Sequence, residues 1–155
     1  MYVRPGPGAT PAGAGVRFQL QARITASGSQ SFVTIGMVDF ASDADLTEWK
    51  QVSGSLTVPS DADEVRVYVQ ATDATIDFEV DHAFLVDADE NAVDNGDELI
   101  NNGDFEQGNV GWNTLSESFS LHSSGSPSGL IHAQMSSRTN TENGFKQDID
   151  MSKLD

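Results

Sequence analysis

Cysteine is absent from this chain, which removes disulfides and thiolate metal centres as ways of holding it together. Basic residues are scarce: 8 Lys and Arg stand against 24 Asp and Glu, for a formal net charge of −16. Neutralising phosphates takes clusters of Lys and Arg, so nucleic acid and anionic membrane surfaces are excluded as partners. Long apolar runs are missing too. No stretch approaches the ~20 residues that cross a bilayer, and membrane insertion is not expected. Nor does any window of about eleven residues or more hold a clean helical period, which leaves an all-β class.

What is present is short alternation. Val16, Phe18, Leu20, Ala22 and Ile24 alternate with Arg17, Gln19, Gln21 and Arg23, the pattern of a half-buried strand. After a Ser-Gly-Ser turn, residues 32–38 give a second strand, in which Gly36 marks a bulge. Residues 47–58, with Trp49, Val52, Leu56 and Val58, read as a third. Val65, Val67, Val69 and Ala71 alternate with Arg66, Tyr68 and Gln70 in a fourth. Ile76, Phe78 and Val80 form a fifth, with a parity shift and an expected bulge at Asp81 and His82. Later strands are expected around Phe119 and Leu121, over 130–135, and over 145–151 after an Asn143-Gly144 turn. Trp49 and Trp112 are expected in the core. A chain of 155 residues with about ten such strands makes one β-sandwich.

Three stretches carry more than periodicity. Glu98-Leu99-Ile100-Asn101-Asn102-Gly103-Asp104-Phe105-Glu106-Gln107-Gly108-Asn109-Val110-Gly111-Trp112 joins an apolar segment to a glycine-punctuated run. Trp49 followed by Gly54-Ser55-Leu56-Thr57-Val58-Pro59, then Val65-Arg66-Val67-Tyr68-Val69, then Asp77-Phe78-Glu79-Val80-Asp81-His82, forms the second. Ser136-Ser137-Arg138-Thr139-Asn140-Thr141-Glu142 leads into Gln147-Asp148-Ile149 in the third. Together they resemble a carbohydrate-binding module of the family four, nine and twenty-two type, a calcium-containing β-jelly roll. The first and third stretches are similar to its opening half, and the second to its closing half.

The order is therefore inverted. Residues 1–15 read as a Pro/Gly-rich extended arm, 16–86 as the closing half, 87–98 as an acidic linker and 99–155 as the opening half. Two arrangements follow. In a circular permutant the linker bridges neighbouring strands and both halves pack within one chain. Alternatively, each chain gives its second half to a neighbouring copy, a heterologous contact that builds filaments or repeat arrays.

The resemblance implies calcium, held by the region of Gly103, Asp104 and Glu106 and by Asp81, where the two halves meet. A second calcium candidate comes from spacing alone. Asp87, Asp89, Asn91 and Glu98 fall at positions one, three, five and twelve of an EF-hand-like loop, although Ala92 replaces the turn glycine and no helices flank it. Sugar binding in such modules rests on rings stacked on pyranose faces beside polar groups. The resemblance points to Arg138, Glu142, Tyr68 and Gln70, with Arg17 and Gln21 beside them. Glu142 stands where the motif has a tryptophan, a loss of about 1 kcal/mol of stacking. His82, His122 and His132 lack metal spacing, and no nucleophile elbow, phosphate loop or H-E-x-x-H is present, so no enzyme is expected. The expected protein is a non-catalytic, calcium-stabilised polysaccharide-binding module, extracellular or on a cell surface. Its alternative is a filament or array subunit whose partners are copies of itself.

Overall fold

The structure, a computed structural model, describes residues 1–7, 16–41, 46–73, 76–86, 98–114, 118–127, 129–142 and 144–153. Its strands are β1 (Tyr2–Pro5), β2 (Val16–Ala26), β3 (Ser29–Phe40), β4 (Lys50–Gln51), β5 (Ala62–Ala71), β6 (Phe78–Asp81), β7 (Asn113–Thr114), β8 (Ser118–His122), β9 (His132–Ser136) and β10 (Gly144–Ile149). They form two five-stranded antiparallel sheets packed as a β-sandwich, in the orders β4-β1-β6-β9-β8 and β3-β2-β5-β10-β7. A 3-10 turn, Met151–Lys153, follows β10.

Each sheet is assembled from both parts of the sequence. In the first, β6 pairs with β9 (Phe78 opposite Met135). In the second, β5 pairs with β10 (Tyr68 opposite Lys146). Both seams close within this one chain. An exchanged assembly would use the same register and differ only in which copy supplies β9 and β10.

The core follows from alternation. Phe18, Phe78 and Phe145 turn inward from β2, β6 and β10 and are fully buried. Phe18 meets Phe40 and Phe78 edge-on, each at 5.3 Å, and Phe78 meets Phe145 at 5.7 Å. Phe145 reaches Phe105 at 5.9 Å, and Phe105 stacks on Trp112 at 5.1 Å. This chain of rings crosses both seams. Burying each ring contributes roughly 1.5–3 kcal/mol, with roughly 0.5–1.5 more for each favourable ring pair.

Several local expectations change. The start of the presumed arm is strand β1, hydrogen-bonded between β4 and β6 with Val3 in the core. Pro5 ends that strand, where a missing N–H is tolerated. Over residues 47–58 only Lys50–Gln51 is a strand. Gly54 instead approaches β3 so closely that a Cβ there would lie 1.8 Å from the Ile35 carbonyl oxygen. The bulge expected at Gly36 is present: the β2–β3 register shifts between Leu20 and Gln21, which face Gly36 and Thr34. At the end of β6 the chain does not bulge. It leaves the sheet through His82, whose φ of 50° is left-handed. Asn143, residues 8–15 and residues 87–97 lie outside the described residues.

Candidate functional site

The outer face of the second sheet carries the polar phase of β2, β3, β5 and β10. One row crosses all five strands in continuous register: Thr34, Gln21, Tyr68, Lys146 and Asn113. At about 4.8 Å between strands, that row is about 19 Å long. On one side lies the row Phe32, Arg23, Arg66, Asp148, and on the other Met37, Gln19, Gln70, Gly144. Phe32 is 64% exposed and Met37 57%. Tyr68 is only 7% exposed, and its ring lies 6.3 Å from that of Phe32, tilted by 49°. Tyr68 therefore supports the platform, and Phe32 is the ring open to solvent.

Charge on this face is largely matched. Arg17 is bound through both Nε and Nη2 to Asp39, at 2.6 and 3.0 Å. That pairing raises the guanidinium pKa and lowers the Asp39 carboxyl. Arg23 binds Glu64, and Arg66 binds Asp148 with Glu64 at 3.4 Å. The hydrogen bond from Arg66 to Asp148 raises the Arg66 pKa despite partial burial. Lys146 has no carboxylate partner among the described residues.

Of the expected groove residues, Tyr68, Gln70 and Arg17 share this face. Glu142 lies at its rim, where its backbone carbonyl accepts a hydrogen bond from Gln70 at 3.5 Å. Arg138 does not join them. It is buried, with its guanidinium over the Phe78 ring. Nη1 donates to the carbonyls of Asp73 and Ile76 at 2.6 Å, and Nη2 to that of Ala71 at 3.0 Å. Those bonds satisfy the β5–β6 turn from inside and leave Arg138 a structural clamp.

The outer face of the first sheet is covered. Trp49 lies over Arg4, 4.5 Å from its guanidinium carbon, and donates from Nε1 to the Gly125 carbonyl at 2.6 Å. Beneath this cover Glu79 binds Arg4. His132, 1% exposed, is sandwiched between Trp49 and His122, with centroids at 5.3 and 5.5 Å. Among the described residues neither ring nitrogen of His132 has a hydrogen-bond partner, and Nε2 is 3.5 Å from Glu79 Oε1. Burial lowers the His132 pKa, and Arg4 and His122 act in the same sense against the opposing pull of Glu79.

The expected calcium residues separate into two groups. Asp81 is fully buried. Its carboxylate accepts from the His82 N–H at 2.7 Å and from the Ser126 hydroxyl at 2.6 Å. Glu106 Oε1 accepts from the N–H groups of Leu130 and Ile131, the latter at 2.8 Å. Both carboxylates thus hold the loop before β9, one from each half of the sequence. Asp104 instead caps its own turn, accepting the Glu106 N–H at 3.3 Å. Gly103 contributes a close approach: its carbonyl accepts the Ala83 N–H at 2.8 Å, and a Cβ would lie 1.8 Å from the Ala83 carbonyl oxygen.

Glu98 is elsewhere, lining a polar pocket of about 540 Å³ with Asn101, Gln147, Asp150 and Lys153. Desolvation, then Asp104, raises its carboxyl pKa. Asp87, Asp89 and Asn91 lie outside the described residues. Among the described residues no three Asp, Glu, His or Cys side chains form a metal-holding group. A cation at the Asp81–Glu106 loop would also draw on oxygens such as the Ser126 hydroxyl and the Ile131 carbonyl. That mixed hard-oxygen set fits calcium chemistry.

Compared with known proteins, the chain matches no family model, no curated protein and no solved structure. Side-chain chemistry therefore carries the functional reading. Sequence reasoning missed Phe32, Thr34, Gln19, Met37 and Lys146 on the open face. Parity marks Gln19 and Lys146 as outward, but Phe32 and Met37 read as core because they are apolar. It also missed Glu79 and His132, whose burial depends on the distant Trp49.

Proposed function

We propose that this protein is a non-catalytic carbohydrate-binding β-sandwich whose ligand lies across the open face of the second sheet. The observation that carries this reading is exposed Phe32 against Tyr68, with the Thr34 hydroxyl and Gln21 in the next row and Gln19 and Gln70 in the row beyond. A pyranose has an apolar face and an equatorial ring of hydroxyls, and a flat aromatic-amide surface meets both. The central row, about 19 Å across five strands, is as long as a short oligosaccharide, which suits a stretch of polysaccharide. Calcium is proposed at the Asp81–Glu106 loop, where it would tie the two halves of the sequence together. The setting in which such modules work is extracellular or at a cell surface.

Calorimetric titration against soluble glucans, xylans and galactans tests the reading. At least one is expected to bind, and Phe32→Ala is expected to weaken it about fivefold by removing roughly 1 kcal/mol of ring contact. Absence of heat with every glycan counts against it.

A second reading is a subunit of an array assembled by exchanging halves. It is favoured by the seams, which lie in mid-sheet, so that the first half alone leaves β5 and β6, and the second half alone β9 and β10, unpaired on one edge. Size-exclusion chromatography with and without chelator separates the readings. Exchange predicts oligomers that persist on dilution and change with calcium, whereas a chelator-insensitive monomer counts against it.

A further inference from the structure

Four of the 8 basic residues, Arg17, Arg23, Arg66 and Lys146, lie on the open face of a chain whose formal net charge is −16. Three are neutralised by Asp39, Glu64 and Asp148. Lys146 alone among these four has no carboxylate partner among the described residues. It stands in the central row, between Tyr68 and Asn113 on neighbouring strands. The nearest carboxylate on its own strand and face, Asp148, is bound to Arg66. With Asp148 taken by Arg66, the Lys146 ammonium in the middle of the row is placed to form a charge-assisted hydrogen bond with a carboxylate of the ligand.

We infer that the ligand is a mostly neutral polysaccharide carrying widely spaced carboxylates, such as uronic acid branches, and that Lys146 recognises the carboxylate. This rests on the carbohydrate-binding reading and adds the charge of the ligand. Two opposing effects set the spacing. Lys146 attracts one carboxylate at contact distance, where salt screens little. The remaining negative charge repels a dense polyanion over roughly the 10 Å Debye length at 0.1 M salt. One carboxylate in several sugars satisfies both. A uronate on every sugar does not.

The test compares three probes on the whole chain: a neutral xylan, a xylan of similar length bearing sparse glucuronic acid, and polygalacturonate. The sparse acidic xylan is expected to bind about three- to fivefold more tightly than the neutral one at low salt, with polygalacturonate weakest. Lys146→Met is expected to abolish the preference without changing the far-ultraviolet spectrum, and Lys146→Arg to retain it. Equal affinity for the two xylans, a preference that survives Lys146→Met, or tightest binding to polygalacturonate overturns the inference and leaves the carbohydrate reading standing. Failure of all three probes, together with the neutral glucans and galactans, removes both.

Discussion

The two outer faces of this sandwich start from the same alternation and end differently. On the first sheet, Glu79, Asp81 and His132 leave the core side of their strands and are buried again, under Trp49 and the loop carrying Ser126. On the second, Phe32, Met37 and Gln70 leave the core side and meet solvent or only part of a neighbour. Alternation decides which residues leave the core. Which of them reach water is decided by segments far away in sequence. The covered face satisfies the Asp81 and Glu79 carboxylates internally, though not the His132 ring, and contributes stability, while the open face leaves Phe32 and Met37 in contact with solvent.

The contrast can be broken at three depths. The largest effect is expected on the covered face, where Asp81→Ala strips the His82 N–H and the Ser126 hydroxyl of their shared acceptor. Urea unfolding should show a loss of about 3 kcal/mol, and a loss below about 1 kcal/mol would mean that the cover is loose. A smaller, pH-dependent effect belongs to His132. Its folded pKa is lowered from the ordinary value of 6.5, with burial the leading cause. The unfolded chain therefore takes up a proton that the folded chain resists. Stability is complete above about pH 6.5 and declines as pH falls towards the folded value. Thermal unfolding followed from pH 7.5 to pH 5 should show that decline, and His132→Phe should flatten it. The smallest effect is on the open face: Phe32→Ala, proposed above to weaken glycan binding, should change unfolding free energy by less than about 0.5 kcal/mol. Equal destabilisation by Phe32→Ala and Asp81→Ala would erase the distinction between the faces.

Much of the sandwich was legible in the sequence because β2 and β5 are long and alternate without interruption. Every inward residue of β5 from Val65 to Ala71 is where its parity places it. β1 was hidden because Pro5 ends it and Gly6 and Pro7 follow directly, although Val3 between Tyr2 and Arg4 carries the strand signal. The candidate face was half legible. Tyr68, Gln70 and Arg17 follow from parity, but Phe32 does not, because an exposed phenylalanine and a buried one have the same letter. Arg138 misled for the converse reason. A guanidinium has five donors, and nothing local reveals that turn carbonyls will take them. Asp81 and Glu106 hold the same loop, from the Ser126 hydroxyl and from the Leu130 and Ile131 N–H groups, a meeting that no local pattern reveals.

The position of the seams also sets the order of events during synthesis. β5 and β6 leave the ribosome well before β9 and β10, and at roughly 5–20 residues per second the interval lasts several seconds. Throughout it the nascent chain holds two unfinished sheets, and its ring stack lacks Phe105, Trp112 and Phe145. Completion waits on contacts between distant positions, such as Arg4 with Glu79 and Glu79 with Gln134, so folding is slow for a chain of this length. If halves exchange between copies as the array reading proposes, crowded polysomes are where one copy's tail would reach another's open edge first, and expression level would control whether monomers or chained assemblies accumulate.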